Sequence, residues 1–188
     1  VRIDPVVSAI ESQNLSIFER NVKSCWQIFE KNKNIDSACK VGYISEYPKM
    51  ALVGDSHAGA LLKEIGLEAS KNNISVLNYT YRSCPPLFKI NPVPFLEQDQ
   101  VCSNIRNGFF DGLKGNVVPP IIIVSSRWAN MIERIKFDNE EGGIESGDEW
   151  IWSVDSHDYK KSMQNWIIYS IRMMIKSGRK VVVVYPVP

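Results

Sequence analysis

The feature that most constrains the fold of this chain is the segment of residues 50–62, in which an apolar strand runs into a turn and then into a helix. The apolar residues Met50–Val53 predict a buried β-strand, and Gly54 permits a tight turn directly after it. Apolar residues at helical spacing follow Ser56 and predict a helix. A strand that leads into a helix in this way is the unit from which α/β domains are built, and its turn lies at the carboxyl edge of the sheet.

Further strands and helices alternate along the 188 residues. The predicted strands are 74–79, 118–125 and 180–185, and a long amphipathic helix is predicted at 158–176. The third strand is continuously apolar, as is typical of a parallel strand buried on both faces. The alternation predicts one α/β domain, a three-layer sandwich with a parallel sheet. Because the last predicted strand ends where the chain ends, we expect elements after residue 188 to complete the fold.

The ends of the chain and its irregular stretches complete this organisation. An N-terminal helix is indicated by apolar residues at helical spacing, namely Phe18, Val22, Cys25, Trp26 and Phe29, and we expect residues 1–45 to form a helical extension. The stretch 83–94 contains four prolines and is predicted to be a loop, as is the acidic stretch 138–148. The chain lacks a starting methionine and a signal-peptide pattern, which suggests an excised domain or mature fragment.

Charge and hydropathy exclude two classes of partner. The net charge is +1 and the basic residues are scattered, so we expect no binding to nucleic acid or to an anionic membrane surface. No apolar run in the sequence reaches the length that spans a bilayer. The composition is that of an ordinary globular domain.

The four cysteines form two local pairs, Cys25 with Cys39 and Cys84 with Cys102. Neither pair has the spacing of a zinc site and the chain has only two histidines, so no metal site is predicted. Two disulfides are favoured, because each pair brackets an irregular segment, and they place the domain outside the cytosol. Four buried thiols in a cytoplasmic protein are the alternative.

Ser56, in the turn Gly54–His57, is the candidate nucleophile. A serine at a strand-to-helix junction is often only the N-cap of the helix. Here the turn follows a buried strand, Gly54 lets it be tight, and small residues follow that leave the hydroxyl open. Backbone N–H groups at the helix start point to the same place, so the turn offers a nucleophile and part of an oxyanion hole for acyl transfer.

A general base for Ser56 is not evident in the sequence. His57 is adjacent to Ser56 and neighbouring side chains diverge at such a turn, so we expect His57 and Asp55 to brace the turn instead. His157 could act as a base only if its loop folded over the turn Gly54–His57, which we call the nucleophile turn after its candidate nucleophile. It belongs to a second Asp-Ser-His triplet that no buried strand precedes, and there Ser156 or Asp158 is expected merely to cap the following helix.

Candidate substrate-binding residues follow the second and third strands. Ser83 leaves the second strand and could contribute a backbone donor. Arg127 and Trp128 close the third strand, where an arginine could hold an anionic or sugar substrate and a tryptophan could stack on a sugar ring. The alternative is a surface arginine and a core indole. Because parallel strands end at one edge, we expect these residues near Ser56.

These motifs resemble the SGNH (GDSL-like) hydrolase superfamily. The turn Gly54–His57 is similar to its first block, and the slightly longer segment Val53–Ala58 belongs to the narrower likeness that follows. Further motifs follow in order along the chain, namely Ser83-Cys84-Pro85-Pro86-Leu87, Cys102, Ser126-Arg127-Trp128 and Val184-Tyr185-Pro186-Val187-Pro188. Together with the turn, they resemble more narrowly the SGNH domain fused to integral-membrane acyltransferases that O-acetylate bacterial surface polysaccharides. The likeness runs from about residue 25 onward. It implies a flavodoxin-like fold in which Ser56 is the nucleophile and its backbone N–H helps to form the oxyanion hole.

The chain departs from the superfamily's pattern in two ways. A glycine after the second strand and an asparagine after the third usually donate to the oxyanion, but here those places hold Arg82-Ser83 and Ser126–Trp128, with Asn130 slightly beyond. The Asp-x-x-His block, which follows the last strand and supplies the base, occurs nowhere in the chain. The resemblance therefore implies that residues after Pro188 complete the triad and that these 188 residues are inactive alone.

The function implied by the resemblance is that of a serine-dependent O-acyltransferase at the periplasmic face of a bacterial inner membrane. A membrane acyltransferase domain in the same parent chain would supply an acetyl group to Ser56, and a hydroxyl group of a surface glycan such as lipopolysaccharide would accept it. No metal or bound cofactor is expected. Two alternatives remain open: a free-standing carbohydrate esterase or deacetylase, and a non-catalytic glycan-binding domain.

Overall fold

The computed structural model describes residue 25 and residues 39–93, 97–115, 117–134, 151–154 and 157–185. The strands and helices within these ranges are β1 (Cys39–Gly42), β2 (Met50–Gly54), α1 (Ser56–Lys71), β3 (Ser75–Thr80), β4 (Pro92–Val93), α2 (Glu97–Gly112), β5 (Ile121–Ser125), α3 (Trp128–Glu133), β6 (Ile151–Trp152), α4 (Tyr159–Lys176) and β7 (Lys180–Val184). Among the helices of these ranges, none has the length and apolar character needed to cross a membrane.

Five of the strands form one sheet in the order β1-β3-β2-β5-β7. The strands β3, β2, β5 and β7 are parallel, which confirms the predicted α/β sheet, and β1 pairs with β3 in the antiparallel direction. The register aligns Gly54 with both Thr80 and Ser125, and Ser125 with Val184. The four parallel strands therefore end in one row, which is the carboxyl edge of the sheet.

Helices cover both faces of the sheet and give the predicted three layers. Alternate residues of a strand point to opposite faces, so Leu52 contributes to the core beneath α1, together with Leu62. The neighbours of Leu52 in β2 point to the other face, where the larger core contains Phe109 from α2 and Met163 from α4. The central strands are nearly completely buried, and this fixes the position of the polar turns that follow them.

The structure contains short elements that the sequence did not predict. Strand β1 occupies residues 39–42, so the expectation that residues 1–45 form a helical extension is corrected there. Residues 43–45 continue from β1 without helical structure, Cys25 is helical and buried, and the other residues of the extension lie outside the described residues, as does the predicted loop 138–148. The pair β4–β6 and the helix α3 are two to six residues long. Elements of that length are too short to show a hydrophobic period.

Both predicted disulfides are present, joining Cys25 to Cys39 and Cys84 to Cys102. The second disulfide fastens the proline-rich loop to α2. The guanidinium of Arg106 on the same helix donates to the carbonyl of Ile90, also in this loop. Burial lowers the pKa of Arg106 to about 10, and the nearby charge of Asp99 opposes that shift. The loop that begins at the carboxyl edge is therefore held by a covalent and a charged contact.

Candidate active site

Ser56 is the first residue of α1 and is exposed just beyond the carboxyl edge of the sheet. The helix is capped by Asp55, whose side chain accepts the backbone N–H of His57 at 2.8 Å. The capping role that was the alternative for Ser56 is thus taken by the residue before it. Capping leaves the Ser56 hydroxyl available for other chemistry, at the edge where α/β sheets bind ligands.

Gly54 lets the nucleophile turn lie directly against β5. Its φ angle is +148°, and a Cβ atom at this position would lie 1.8 Å from the carbonyl oxygen of Ser125. The same atom would lie 2.8 Å from the Cβ of Ala58 in the first turn of α1. Only glycine therefore fits between the two strands without moving them.

The carboxylate of Asp55 connects the turn before α1 to the turn after β5. Its Oδ2 atom accepts the hydroxyl of Ser126 at 2.5 Å and the backbone N–H of Arg127 at 2.9 Å, while Oδ1 accepts from His57. Burial alone raises the pKa of this carboxyl group, but the hydrogen bonds from His57, Ser126 and Arg127 outweigh burial and hold the pKa below its ordinary value. Asp55 is therefore ionised at neutral pH and acts as an acceptor.

The imidazole of His57 lies against Asp55. Its Nδ1 atom is 3.6 Å from Oδ1 of Asp55 and, within the part of the chain that the structure describes, has no hydrogen-bond partner. Both the backbone and the ring of His57 are thus directed to the carboxylate. This placement suits a bracing side chain, as the sequence suggested.

The backbone N–H of Ser56 is the candidate oxyanion donor of the nucleophile turn. The N–H of His57 is used by the Asp55 carboxylate, and the N–H of Gly59 donates to the Asp55 carbonyl at 2.9 Å. The N–H of Ser56, in contrast, has no acceptor within the described residues. It is one of the N–H groups that a helix start leaves without an internal acceptor, and it belongs to an exposed residue.

Ser83 lies in a turn that follows β3 and has a left-handed backbone conformation, with φ of +51°. The turn is closed by the N–H of Cys84, which donates to the carbonyl of Tyr81 at 3.2 Å. The N–H of Tyr81 donates in turn to the carbonyl of Gly54, so this turn is tied to the nucleophile turn. A third turn position with positive φ usually holds glycine. Ser83 thus has the backbone geometry that glycine usually adopts at this position of a turn.

Arg127 and Trp128 lie at the start of α3. The backbone N–H of Arg127 is used by Asp55, so a contact from Arg127 to a substrate has to come from the guanidinium. Trp128 is 6% exposed and packs in the larger core. This burial favours the alternative reading, a core indole, over a ring that stacks on a sugar. Asn130, on the first turn of α3, is half-buried.

The remaining sequence candidates fall at the start of α4. Asp158 caps that helix by accepting the N–H of Lys161 at 3.2 Å, which is the role predicted for Ser156 or Asp158. His157 precedes it and is exposed. No group of three or more potential metal ligands occurs within the described residues.

Ser126 was not predicted as a site residue, and its bond to Asp55 appears only in the structure. Two features of the sequence point to it: Ser126 opens the motif Ser126-Arg127-Trp128, and two consecutive serines, Ser125 and Ser126, close an apolar strand. They are buried, although a serine at a strand end is more often exposed.

Comparisons with known proteins give a family and a fold for this chain. The model of the family described as "SGNH domain (fused to AT3 domains)" matches residues 24–188. The curated proteins contain no match to the chain. Among solved structures, the chain is similar to the periplasmic domain of a lipopolysaccharide acetyltransferase from Salmonella ser. Paratyphi A, with 16% identity and a TM-score of 0.51 over 78% of this chain and 47% of that chain.

The structural likeness shows the fold, and the chain spans about half the length of that periplasmic domain. The family match covers nearly all of the chain, including the nucleophile turn, the Ser83 turn and the start of α3. This chain belongs to the family of SGNH domains that are fused to AT3 domains.

Proposed function

We propose that this domain is an extracytoplasmic serine acyltransferase that carries an acetyl group as an ester on Ser56 and passes it to a hydroxyl group of a cell-surface glycan. The observation that carries the proposal is that Asp55 caps α1, so that the Ser56 hydroxyl stands exposed and uncommitted to the cap. Membership of a family whose domains are fused to AT3 domains supports a membrane acyltransferase domain as the donor. The two disulfides suit a periplasmic location.

The reaction has two steps at one carbonyl carbon. In the first, the Ser56 hydroxyl attacks the acetyl donor, its proton passes through a base to the leaving group, and an acetyl ester forms on Ser56. In the second, a glycan hydroxyl attacks that ester, and its proton passes through the same base to Ser56. We place the base in the sequence that follows Pro188 in the parent chain. No metal or bound cofactor is needed for either step.

Backbone donors stabilise the negative charge that develops on the carbonyl oxygen. The N–H of Ser56 is one, and we assign the N–H of Ser83 as the second, because its turn keeps the backbone geometry of a glycine and is tied to Gly54. One such donor is worth roughly a hundredfold or more in rate. The guanidinium of Arg127, which follows the neighbouring strand, is assigned to the acceptor glycan.

The proposal is tested in the full parent chain by intact mass spectrometry after incubation with p-nitrophenyl acetate. We expect an acetyl adduct, or turnover of the ester, that disappears in Ser56→Ala. The matched control is Ser70→Ala, which removes an exposed hydroxyl from the same helix and should change nothing. Equal adduct formation by Ser56→Ala and the native protein would contradict the proposal.

The acceptor separates the proposed activity from its alternatives. A transferase gives acetylated glycan when an acceptor is present, whereas an esterase or deacetylase releases acetate at the same rate with or without it. A folded parent chain that binds glycan but forms no adduct with any donor supports a binding domain instead.

A further inference from the structure

We infer that Ser126 is a positioning residue of the proposed acyl-transfer site, and that its hydroxyl, acting through Asp55, holds the start of α3 in place beside the nucleophile turn. The inference rests on the proposed function. It assigns to Ser126 no contact with substrate. Its basis is the hydrogen bond between the Ser126 hydroxyl and Oδ2 of Asp55.

The bond continues the pairing of two strands beyond the end of the sheet. The ladder between β2 and β5 ends at Gly54 and Ser125. The next residues along the two strands are Asp55 and Ser126, and their side chains meet at 2.5 Å. From this point the segment after β2 enters α1, and the segment after β5 enters α3. The bond therefore fastens the two turns together where the backbone pairing no longer does.

Both partners are buried, so water does not compete for the bond. Ser126 is 0% exposed and Asp55 is 4% exposed. A hydroxyl has a single proton to donate, and Ser126 gives it to an ionised acceptor, which makes a stronger bond than a neutral pair. Without it, the backbone N–H of Arg127 is the one donor to Oδ2 of Asp55 that is left among the described residues. The carboxylate is then less well held on the side that faces β5.

Each partner directly precedes a residue of the proposed site. Asp55 precedes the nucleophile Ser56, and Ser126 precedes Arg127, whose backbone is bound to the same carboxylate oxygen. A shift of the carboxylate therefore moves both residues. Misplacement of reacting groups by about 1 Å costs up to roughly a hundredfold in rate. We accordingly expect loss of Ser126 to lower the rate of the chemical step while leaving the nucleophile intact.

The test compares Ser126→Ala with Ser75→Ala in the full parent chain. Ser75 is a matched control because it is also buried in the sheet, at 1% exposure, and within the described residues its hydroxyl has no partner. Rates are divided by the folded fraction of each variant, measured by circular dichroism, so that unfolded protein does not count. We expect kcat to fall about 10- to 100-fold in Ser126→Ala, with the KM for the donor unchanged, and to stay within about twofold in Ser75→Ala.

Two further variants test whether the hydroxyl itself is needed and whether it acts through Asp55. Ser126→Thr retains the hydroxyl and should recover most of the lost rate. In an Asp55→Asn background, Ser126→Ala should add less than about threefold, because residues that act as one unit have non-additive effects. Rate losses that simply multiply, or a threonine variant no better than alanine, would overturn the inference.

The outcomes also separate this inference from the proposed function. If Ser56→Ala retains acetyl transfer, both fail. If Ser56→Ala abolishes transfer while Ser126→Ala behaves like Ser75→Ala, only the positioning role is overturned.

Discussion

Replacement of Gly54 by alanine tests whether the close approach of β2 to β5 sets the nucleophile turn. The new Cβ atom would lie 1.8 Å from the carbonyl oxygen of Ser125, whereas ordinary contacts begin near 3.4 Å. The strands would have to separate by about 1.5 Å at this point. Overpacking and a disfavoured φ angle each cost about 1–3 kcal/mol, so we expect the free energy of unfolding to fall by about 2–6 kcal/mol. That is a large part of the roughly 5–15 kcal/mol of a typical domain.

Two other glycines separate the causes of this loss. Gly178 has φ of +84° but nothing within 4 Å of its Cβ position, so Gly178→Ala should cost only the backbone term of about 1 kcal/mol. Gly66 lies inside α1 at ordinary contact distance from Val41, and alanine there should be neutral or stabilising by up to about 1 kcal/mol. Urea unfolding of the three variants measures the order. A Gly54→Ala variant no less stable than Gly178→Ala would refute the packing argument.

Three further predictions concern other parts of the site. Ser83→Gly should raise the free energy of unfolding by about 1 kcal/mol, because glycine adopts the left-handed backbone conformation without strain, and should retain acetyl transfer. Ser83→Val should lower both the free energy of unfolding and the rate of acetyl transfer, as measured by denaturation and rate assays. The pKa of Asp55 is lowered in the folded protein, so the ionised carboxylate stabilises the fold at pH above the ordinary value of 3.8, and this stabilisation is lost as pH falls below that value. The difference in free energy of unfolding between the native protein and Asp55→Asn should therefore shrink from neutral pH to pH of about 3, as measured by unfolding experiments. Replacing Cys84 and Cys102 by serine should lower stability by about 3 kcal/mol, since the disulfide closes a loop of 18 residues, and equal urea midpoints would contradict this.

Most of the main strands and helices were predictable because their apolar residues repeat with a clear period, but α2 was not predicted and β5 begins at residue 121 rather than at the predicted 118. The predicted and observed limits of β2, β3 and β7 agree within a residue. Strand β1 escaped prediction because its four residues owe their conformation to pairing with β3 and to the disulfide at Cys39. The pairing with β3 is not visible in the local sequence, and the predicted disulfide does not by itself indicate a strand.

The site was predictable in its position and less so in its contacts. Asp55 and Ser56 are both good N-cap residues and adjacent, so only the backbone path shows that Asp55 caps α1. Asp55 and Ser126 are 71 residues apart, and the pairing of β2 with β5 brings them together. The burial of Trp128 depends on α3, a helix too short to be foreseen from its pattern.

The most direct test of the central claim is to follow one acetyl group through the protein. The full parent chain is charged with an isotope-labelled acetyl donor, digested, and the labelled peptide identified by mass spectrometry before and after addition of acceptor glycan. We predict that the label lies on Ser56, moves to the glycan when the acceptor is added, and is absent in Ser56→Ala. Label on another residue that passes to the glycan, with Ser56 never acetylated, would contradict the account.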